Sequence, residues 1–226
     1  MPLEDGRFRD RTQAGRDLAG RLASLELDRP VVYALPCGGV PVAAECAKAL
    51  DAPLDLVLVR KLGAPGQPEL GIGALADAGG EEVAVINRRV ADLTGASEAY
   101  IELVQQSERE ELARRGRVYF QGRARTDPAG REAVLVDDGL ATGSTALAAV
   151  RALKARGAAR VVLAVPVAPP DTLDKLEAEA DSVVCLLAPP SFSSVGQWYR
   201  DFHQLEDGEV VRLLDEAARR TGAANG

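Results

Sequence analysis

The chain has 226 residues, 46% hydrophobic and 27% charged, an ordinary globular composition that supports a folded core and argues against a disordered chain. Thirty-four acids against 27 Lys and Arg leave a net charge of −7 with no basic stripe, which argues against a nucleic-acid partner. One histidine, His203, and three scattered cysteines, Cys37, Cys46 and Cys185, exclude multi-histidine metal sites, CxxC zinc sites and a disulfide framework, and suit a reducing cytoplasm.

The N-terminus, Met1-Pro2-Leu3-Glu4-Asp5, lacks a basic segment followed by an apolar one, so no signal peptide is predicted. No apolar run approaches the ~20 residues that span a bilayer, so no membrane partner is predicted either. Short Val/Leu/Ile runs then alternate with helical stretches. Strands are predicted over 31–35, 54–59, 82–86, 133–136, 160–167 and 182–187. Helices are predicted near 12–25, 40–50, 97–115, 144–156 and 170–179, with a last acidic helix over 207–219. Ser97 reads as an N-cap and Gly157 as a left-handed C-terminal cap. The pattern predicts one α/β domain over 1–226, a mostly parallel twisted sheet flanked by helices, with strands buried on both faces.

Two segments break the alternation. Residues 61–80 hold six glycines plus Pro65 and Pro68, too broken for a helix, and are predicted as a long flexible loop. Residues 188–206 follow Pro189-Pro190 with Phe192, Trp198, Tyr199 and Phe202, a concentration of aromatic residues in a segment without periodicity. Loops on a rigid sheet often carry function, so both are candidate site segments. Gly71-Ile72-Gly73-Ala74-Leu75-Ala76 fits a GxGxxA pattern but follows no strand, so it is rejected as a dinucleotide turn.

The most informative stretch is Val134-Leu135-Val136-Asp137-Asp138-Gly139-Leu140-Ala141-Thr142-Gly143-Ser144-Thr145-Ala146. It reads as a buried strand, two acids, a turn of small residues and a helix opening with hydroxyls. Unpaired N–H groups at the positive end of a helix dipole suit a phosphate. Thr142, Ser144 and Thr145 add hydroxyl donors, while Gly139 and Gly143 let the backbone approach closely. Two carboxylates just upstream suit sugar hydroxyls, or a magnesium ion through water. No lysine follows Gly143, so this is not a Walker A loop.

From Asp137 to Thr145 the segment resembles the phosphoribosyl diphosphate (PRPP) signature of the type I phosphoribosyltransferases. Leu35-Pro36-Cys37-Gly38-Gly39-Val40-Pro41 is similar to the diphosphate loop of that family, whose paired glycines expose an anion-binding nest. Close relatives commonly carry a basic residue at the position of Cys37; here the side chain is either a small filler of the turn or a reactive thiol. Arg60-Lys61 resembles the basic step before the family's flexible catalytic loop, or is a pair of solvated charges at a strand end. Glu69 resembles an acid of some members, whereas the loop lysines and histidine of orotate-type enzymes are absent, so orotate specificity is disfavoured. Val195-Gly196-Gln197-Trp198-Tyr199-Arg200-Asp201-Phe202 is similar to the base-holding hood of purine-type members. Its aromatic side chains either stack on a flat base or seal the sheet edge, and His203 reads as a surface residue. The resemblance is closest to a little-characterised bacterial branch. That branch shares Phe8-Arg9-Asp10-Arg11, Ala14-Gly15, the 60–66 run and the Gly-Gln-Trp-Tyr hood.

The resemblance implies magnesium-dependent transfer of 5-phosphoribosyl from PRPP to a nitrogen acceptor, a purine-like base favoured, with release of diphosphate. Gly139, Ala141, Thr142, Gly143, Ser144 and Thr145 would hold the 5′-phosphate. Asp137 and Asp138 would bind the ribose hydroxyls, Asp138 also favouring developing positive charge or accepting a proton. Cys37, Gly38, Gly39, Arg60 and Lys61 would meet the diphosphate, and the 62–80 loop would close over it. Val195, Trp198, Tyr199 and Asp201 would hold the base, with Asp137, Asp138 and Asp201 near Mg2+. The implied assembly is a homodimer. The rival readings are a non-catalytic PRPP- or nucleotide-binding regulator and an enzyme that hydrolyses or phosphorolyses ribose phosphates.

Overall fold

A computed structural model describes residues 6–79 and 82–224; the predicted leaderless segment at residues 1–5, and Gly80 at the end of the 61–80 stretch, lie outside it. The chain opens with α1 (Arg11–Leu22), whose first turn is capped by the Asp10 carboxylate accepting from Gln13 N at 2.7 Å. It continues through β1 (Val31–Ala34), α2 (Gly39–Ala49) and β2 (Leu54–Leu56). Later come β6 (Glu132–Val136), α5 (Ser144–Ala155), β7 (Arg160–Val167), α6 (Pro170–Glu177), β8 (Ser182–Leu187) and α7 (Asp207–Ala224). The strands form one parallel sheet in the order β2-β1-β6-β7-β8.

The continuous apolar runs follow from burial on both faces. Val32, Val134 and Val162 pack with Leu18, Val42 and Val210 of α1, α2 and α7. Their neighbours Val31, Leu135 and Leu163 pack on the other face with Ala146, Ala149 and Leu153 of α5. Successive side chains point to opposite faces, so each strand serves both layers.

The 61–80 segment corrects the sequence reading. It is not an irregular loop: β3 (Leu58–Ala64) and β4 (Gln67–Asp77) make an antiparallel hairpin, and β5 (Val83–Ile86) pairs with β4 as a third strand. The expected strand over 54–59 is therefore two strands, β2 in the parallel sheet and β3 in a separate one. The expected strand near 82–86 exists, but it belongs to this second sheet. Gly66, at φ +68°, makes the hairpin turn. A β-carbon on Gly63 would lie 2.7 Å from Pro68 O, so that glycine permits close backbone approach rather than breaking the strand. Ile72 and Leu75 are buried against Ile101 and Leu112 of α4 (Glu98–Phe120). Packing overrides the breaker signal. The rejected GxGxxA stretch lies within β4, as a strand and not a phosphate turn.

Between β5 and α4, sequence reading missed the six-residue helix α3 (Arg88–Leu93), capped by Asn87 Oδ1 accepting from Val90 N at 3.2 Å. Ser97 caps α4 as expected, accepting from Tyr100 N at 3.2 Å, and Gly157 adopts φ +80° after α5. No helix among the described residues is long and apolar enough to cross a membrane.

Candidate active site

Parallel pairing builds the site. Ala34 lies in register with Val136, and Leu35 N donates to Val136 O at 3.0 Å, so the turns leaving β1 and β6 emerge side by side. The rim beyond the C-terminal ends of parallel strands is where open α/β sheets bind ligands. The β1 turn carries Cys37, Gly38 and Gly39; the β6 turn carries Asp137 to Gly143.

These turns touch. A β-carbon on Gly38 would collide with Asp138 Oδ2, and one on Gly39 would lie 2.7 Å from Val136 O. The paired glycines are needed for that approach. Leu140 N donates to Val167 O at 2.9 Å, and Thr172 Oγ1 of α6 donates to Ala141 O at 2.7 Å, which anchors the second turn. Gly143 caps α5 at φ +74° with no side-chain bond, and the first turn of α5 contains no acid. Thr142, Ser144 and Thr145 surround that helix start and are exposed, with the Thr142 and Ser144 hydroxyls 3.4 Å apart. Uncapped amides, hydroxyls and the helix dipole together favour an anion there.

Behind them, Asp137 Oδ1 accepts from Asp138 N at 2.9 Å. Burial, followed by the neighbouring Asp138 charge, holds the Asp137 carboxyl well above the usual carboxylate range. Burial also pushes Asp138 up, against the opposing pull of Arg11. Arg11 was not among the expected site residues. Its Nε donates to Asp138 Oδ2 at 2.7 Å, its Nη1 donates to His203 O at 2.9 Å, and its guanidinium lies 3.8 Å from the Phe202 ring centroid. Two sequence signals pointed to it: the Phe8-Arg9-Asp10-Arg11 segment shared with the bacterial branch, and an arginine on the buried face of α1, aligned with Ala14 and Leu18.

Cys37 is held by side chains far away in sequence. Its Sγ lies 3.3 Å from Tyr119 Oη, and Tyr119 Oη donates to Asp207 Oδ1 at 2.6 Å. Burial and the Asp207 bond raise the Tyr119 pKa, so the phenol stays a donor. The turn-filling reading of Cys37 matches this packing.

The hood covers the acids in a way the sequence did not specify. A β-carbon on Gly139 would lie 2.7 Å from Val195 Cγ1, so Val195 sits directly on that turn. Tyr199 is only 4% exposed; its ring packs on Phe8 and Phe202, with centroids 5.4 and 5.2 Å apart, and presents no face to a base. It is therefore a structural anchor, a correction to its expected stacking role. Trp198 is half-buried and stacked on Phe192 at 6.4 Å. Asp201 is exposed and accepts from His203 N at 3.2 Å, and the His203 side chain lies on the surface as expected.

Two other expected residues do not join the cluster. Arg60 Nε donates to Glu108 Oε2 of α4 at 2.6 Å, and Lys61 Nζ donates to Glu69 Oε2 at 3.0 Å. Both line a cavity of about 800 Å³ between the hairpin and α4, where neither Asp137 nor Asp138 contributes.

Among the described residues no group of three or more His, Cys, Asp or Glu is arranged to hold a metal. Asp137 and Asp138 offer two adjacent carboxyl groups, a donor set that fits Mg2+, which takes one or two carboxylates and fills its other positions with waters or phosphate oxygens. Asp201, facing His203, does not extend that donor set.

A family model of the phosphoribosyl transferase domain matches residues 9–202. A Mycobacterium tuberculosis H37Rv protein, provisionally named a phosphoribosyl transferase, is 50% identical over 212 residues, covering 94% of this chain and 47% of its own length. The chain thus spans about half the length of the curated relatives it matches. The crystal structure of a Thermus thermophilus protein is similar at 45% identity, with a TM-score of 0.80 over 93% of this chain and 98% of that one. On the strand-acid-acid-glycine turn, the parallel sheet that carries it and a match over most of its length, the chain belongs to the phosphoribosyl transferase domain family.

Proposed function

We propose that the protein transfers 5-phosphoribosyl from PRPP to a ring nitrogen of a planar, purine-like base. The observation that carries this reading is the α5 start: an uncapped helix N-terminus ringed by Thr142, Ser144 and Thr145, reached by a short turn from the half-buried Asp137 and the buried Asp138. The amides of 143–145 and these hydroxyls hold the 5′-phosphate, with Gly139 and Ala141 shaping the turn. Asp137 and Asp138 accept from the ribose hydroxyls. Magnesium brought with PRPP would be held by Asp137 and Asp138 and would neutralise charge on the departing diphosphate. The acceptor nitrogen forms a bond to C1 as the C1–oxygen bond to diphosphate breaks, and the acceptor proton leaves to Asp138 or water. The chain's contribution is alignment, exclusion of water and charge placed where the ribose becomes positive. The Gly38 amide faces the diphosphate, whereas Gly39 N donates to Leu35 O at 3.0 Å and Gly39 serves the close approach of the turns. The 58–77 hairpin closes Arg60 and Lys61 onto the diphosphate, exchanging their Glu108 and Glu69 partners for phosphate. Val195 reads the base edge and Trp198 stacks on it. By the same resemblance the reading includes a homodimer in the cytoplasm.

A second reading, a PRPP- or nucleotide-binding regulator of the same fold, is favoured by one observation: Arg60 and Lys61 are paired away from the acids. Incubation with PRPP, magnesium and candidate bases separates the readings through diphosphate release. Base-dependent release is expected. Base-independent release means hydrolysis, and binding without release means a regulator. Thr142→Val is expected to weaken PRPP binding by about 1–3 kcal/mol, the range for a hydrogen bond to a charged group. Unchanged affinity would remove the phosphate assignment.

A further inference from the structure

We propose that Arg11 is a binding residue for the diphosphate of PRPP, supplying the positive charge that the 36–39 turn lacks. The proposal rests on the PRPP reading above. The turn meets the 202–205 segment at a cleft of about 340 Å³ lined by Arg11, Cys37, Gly38, Phe202 and His203, among others. Among the described residues, Arg11 is the only Arg or Lys that lines it. An anion entering there meets Asp138 across Gly38, so the cleft needs a countercharge to favour a phosphate over a cation. Cys37 contributes none; its thiol lies against Tyr119. Arg60 and Lys61 line the cavity beside α4 instead and reach the turn only when the hairpin closes.

Arg11 meets the need in three ways. Its side chain is 9% exposed and its Asp138 partner 12%, so salt screens this charge far less than a surface one. Asp138, the His203 carbonyl and the Phe202 ring fix the guanidinium plane, so little side-chain freedom is lost when a ligand arrives. Its hydrogen bonds use Nε and Nη1, leaving Nη2 with no protein partner among the described residues. A planar fork with an unused edge suits a phosphate oxygen. Arg11 also fixes Asp138, so one side chain links the ribose-binding acid to the leaving group.

Calorimetry with PRPP and with ribose 5-phosphate, each with magnesium, tests this on the full chain. Ribose 5-phosphate keeps the hydroxyls and the 5′-phosphate but lacks the diphosphate. Arg11→Gln is expected to raise the PRPP dissociation constant about tenfold more than it raises that of ribose 5-phosphate, whose smaller loss reports the freed Asp138. Equal losses for both ligands would show that Arg11 acts only by holding Asp138, and no loss for either would show that it does neither; each result overturns the proposal. If Arg11→Gln fails to fold by circular dichroism, Arg11→Lys carries the same comparison, because it keeps the charge and loses the fork. A PRPP-selective loss in that variant supports the proposal, and an equal loss or none overturns it. A wild-type chain that binds neither ligand would instead remove the PRPP reading itself.

Discussion

The Tyr199 hydroxyl donates to the main-chain carbonyl of Asp138 across 2.5 Å, a bond that joins the hood to the acid pair. The same hood segment is stitched to the chain before α1, with Phe8 N donating to Trp198 O at 2.8 Å and Arg200 N to Phe8 O at 2.9 Å. The acids, the hood and the Arg11 helix therefore form one unit. Tyr199→Phe keeps the ring packing and leaves a buried carbonyl without its partner. The expected loss is about 1–3 kcal/mol in urea unfolding, with weaker PRPP binding. An unchanged unfolding midpoint would mean that water or a shifted neighbour replaces the phenol.

Gly38 tests the contact between the two turns. Its backbone, φ −58° and ψ −37°, is open to any residue, so Gly38→Ala probes only the space beside Asp138. The added methyl collides with Asp138 Oδ2 and must displace the carboxylate. Overpacking of this kind costs about 1–3 kcal/mol. PRPP affinity is expected to fall with it, whereas Gly20→Ala, inside α1 with nothing within 4 Å, is expected to gain about 0.5–1 kcal/mol of stability from helix propensity and to leave PRPP affinity unchanged. Equal behaviour of the two variants would count against the contact.

Asp137 sets a pH dependence. Its folded-state carboxyl holds a proton above the unfolded value of about 4, so its contribution to stability is full below about pH 4 and is lost as pH rises toward the folded value. Asp137→Asn keeps an acceptor for Asp138 N and removes the charge. The variant's gain in thermal midpoint over wild type is expected to grow from about pH 4 toward neutrality, measured without magnesium. Parallel curves would show that Asp137 ionises freely in the fold.

Trp198 addresses the acceptor. Base–aromatic stacking is worth about 1–3 kcal/mol, so Trp198→Ala is expected to raise the acceptor KM about tenfold while PRPP binding stays unchanged. If PRPP binding falls in step, the indole serves only to pack on Phe192 and close the hood.

The sequence by itself determined the parallel α/β class and the strand-acid-glycine-hydroxyl turn that carries the candidate site, because both are local codes. Runs such as Val161–Val165 are apolar at every position only when both faces are covered, and the 137–145 stretch fixes acids, glycines and hydroxyls within nine consecutive residues. Tertiary structure alone decided the rest. The glycines of 61–80 read as breakers, but partners distant in sequence bury Ile72 and Leu75 and make strands of them. Tyr199 and Trp198 are adjacent and chemically alike, and only the position of Phe8 decides which one is buried. Arg11 meets Asp138 across 127 residues of chain, and Tyr119 meets Cys37 across 82. Spacing along the chain carries no record of such pairs, because the sheet, and not local propensity, sets the distance between their elements.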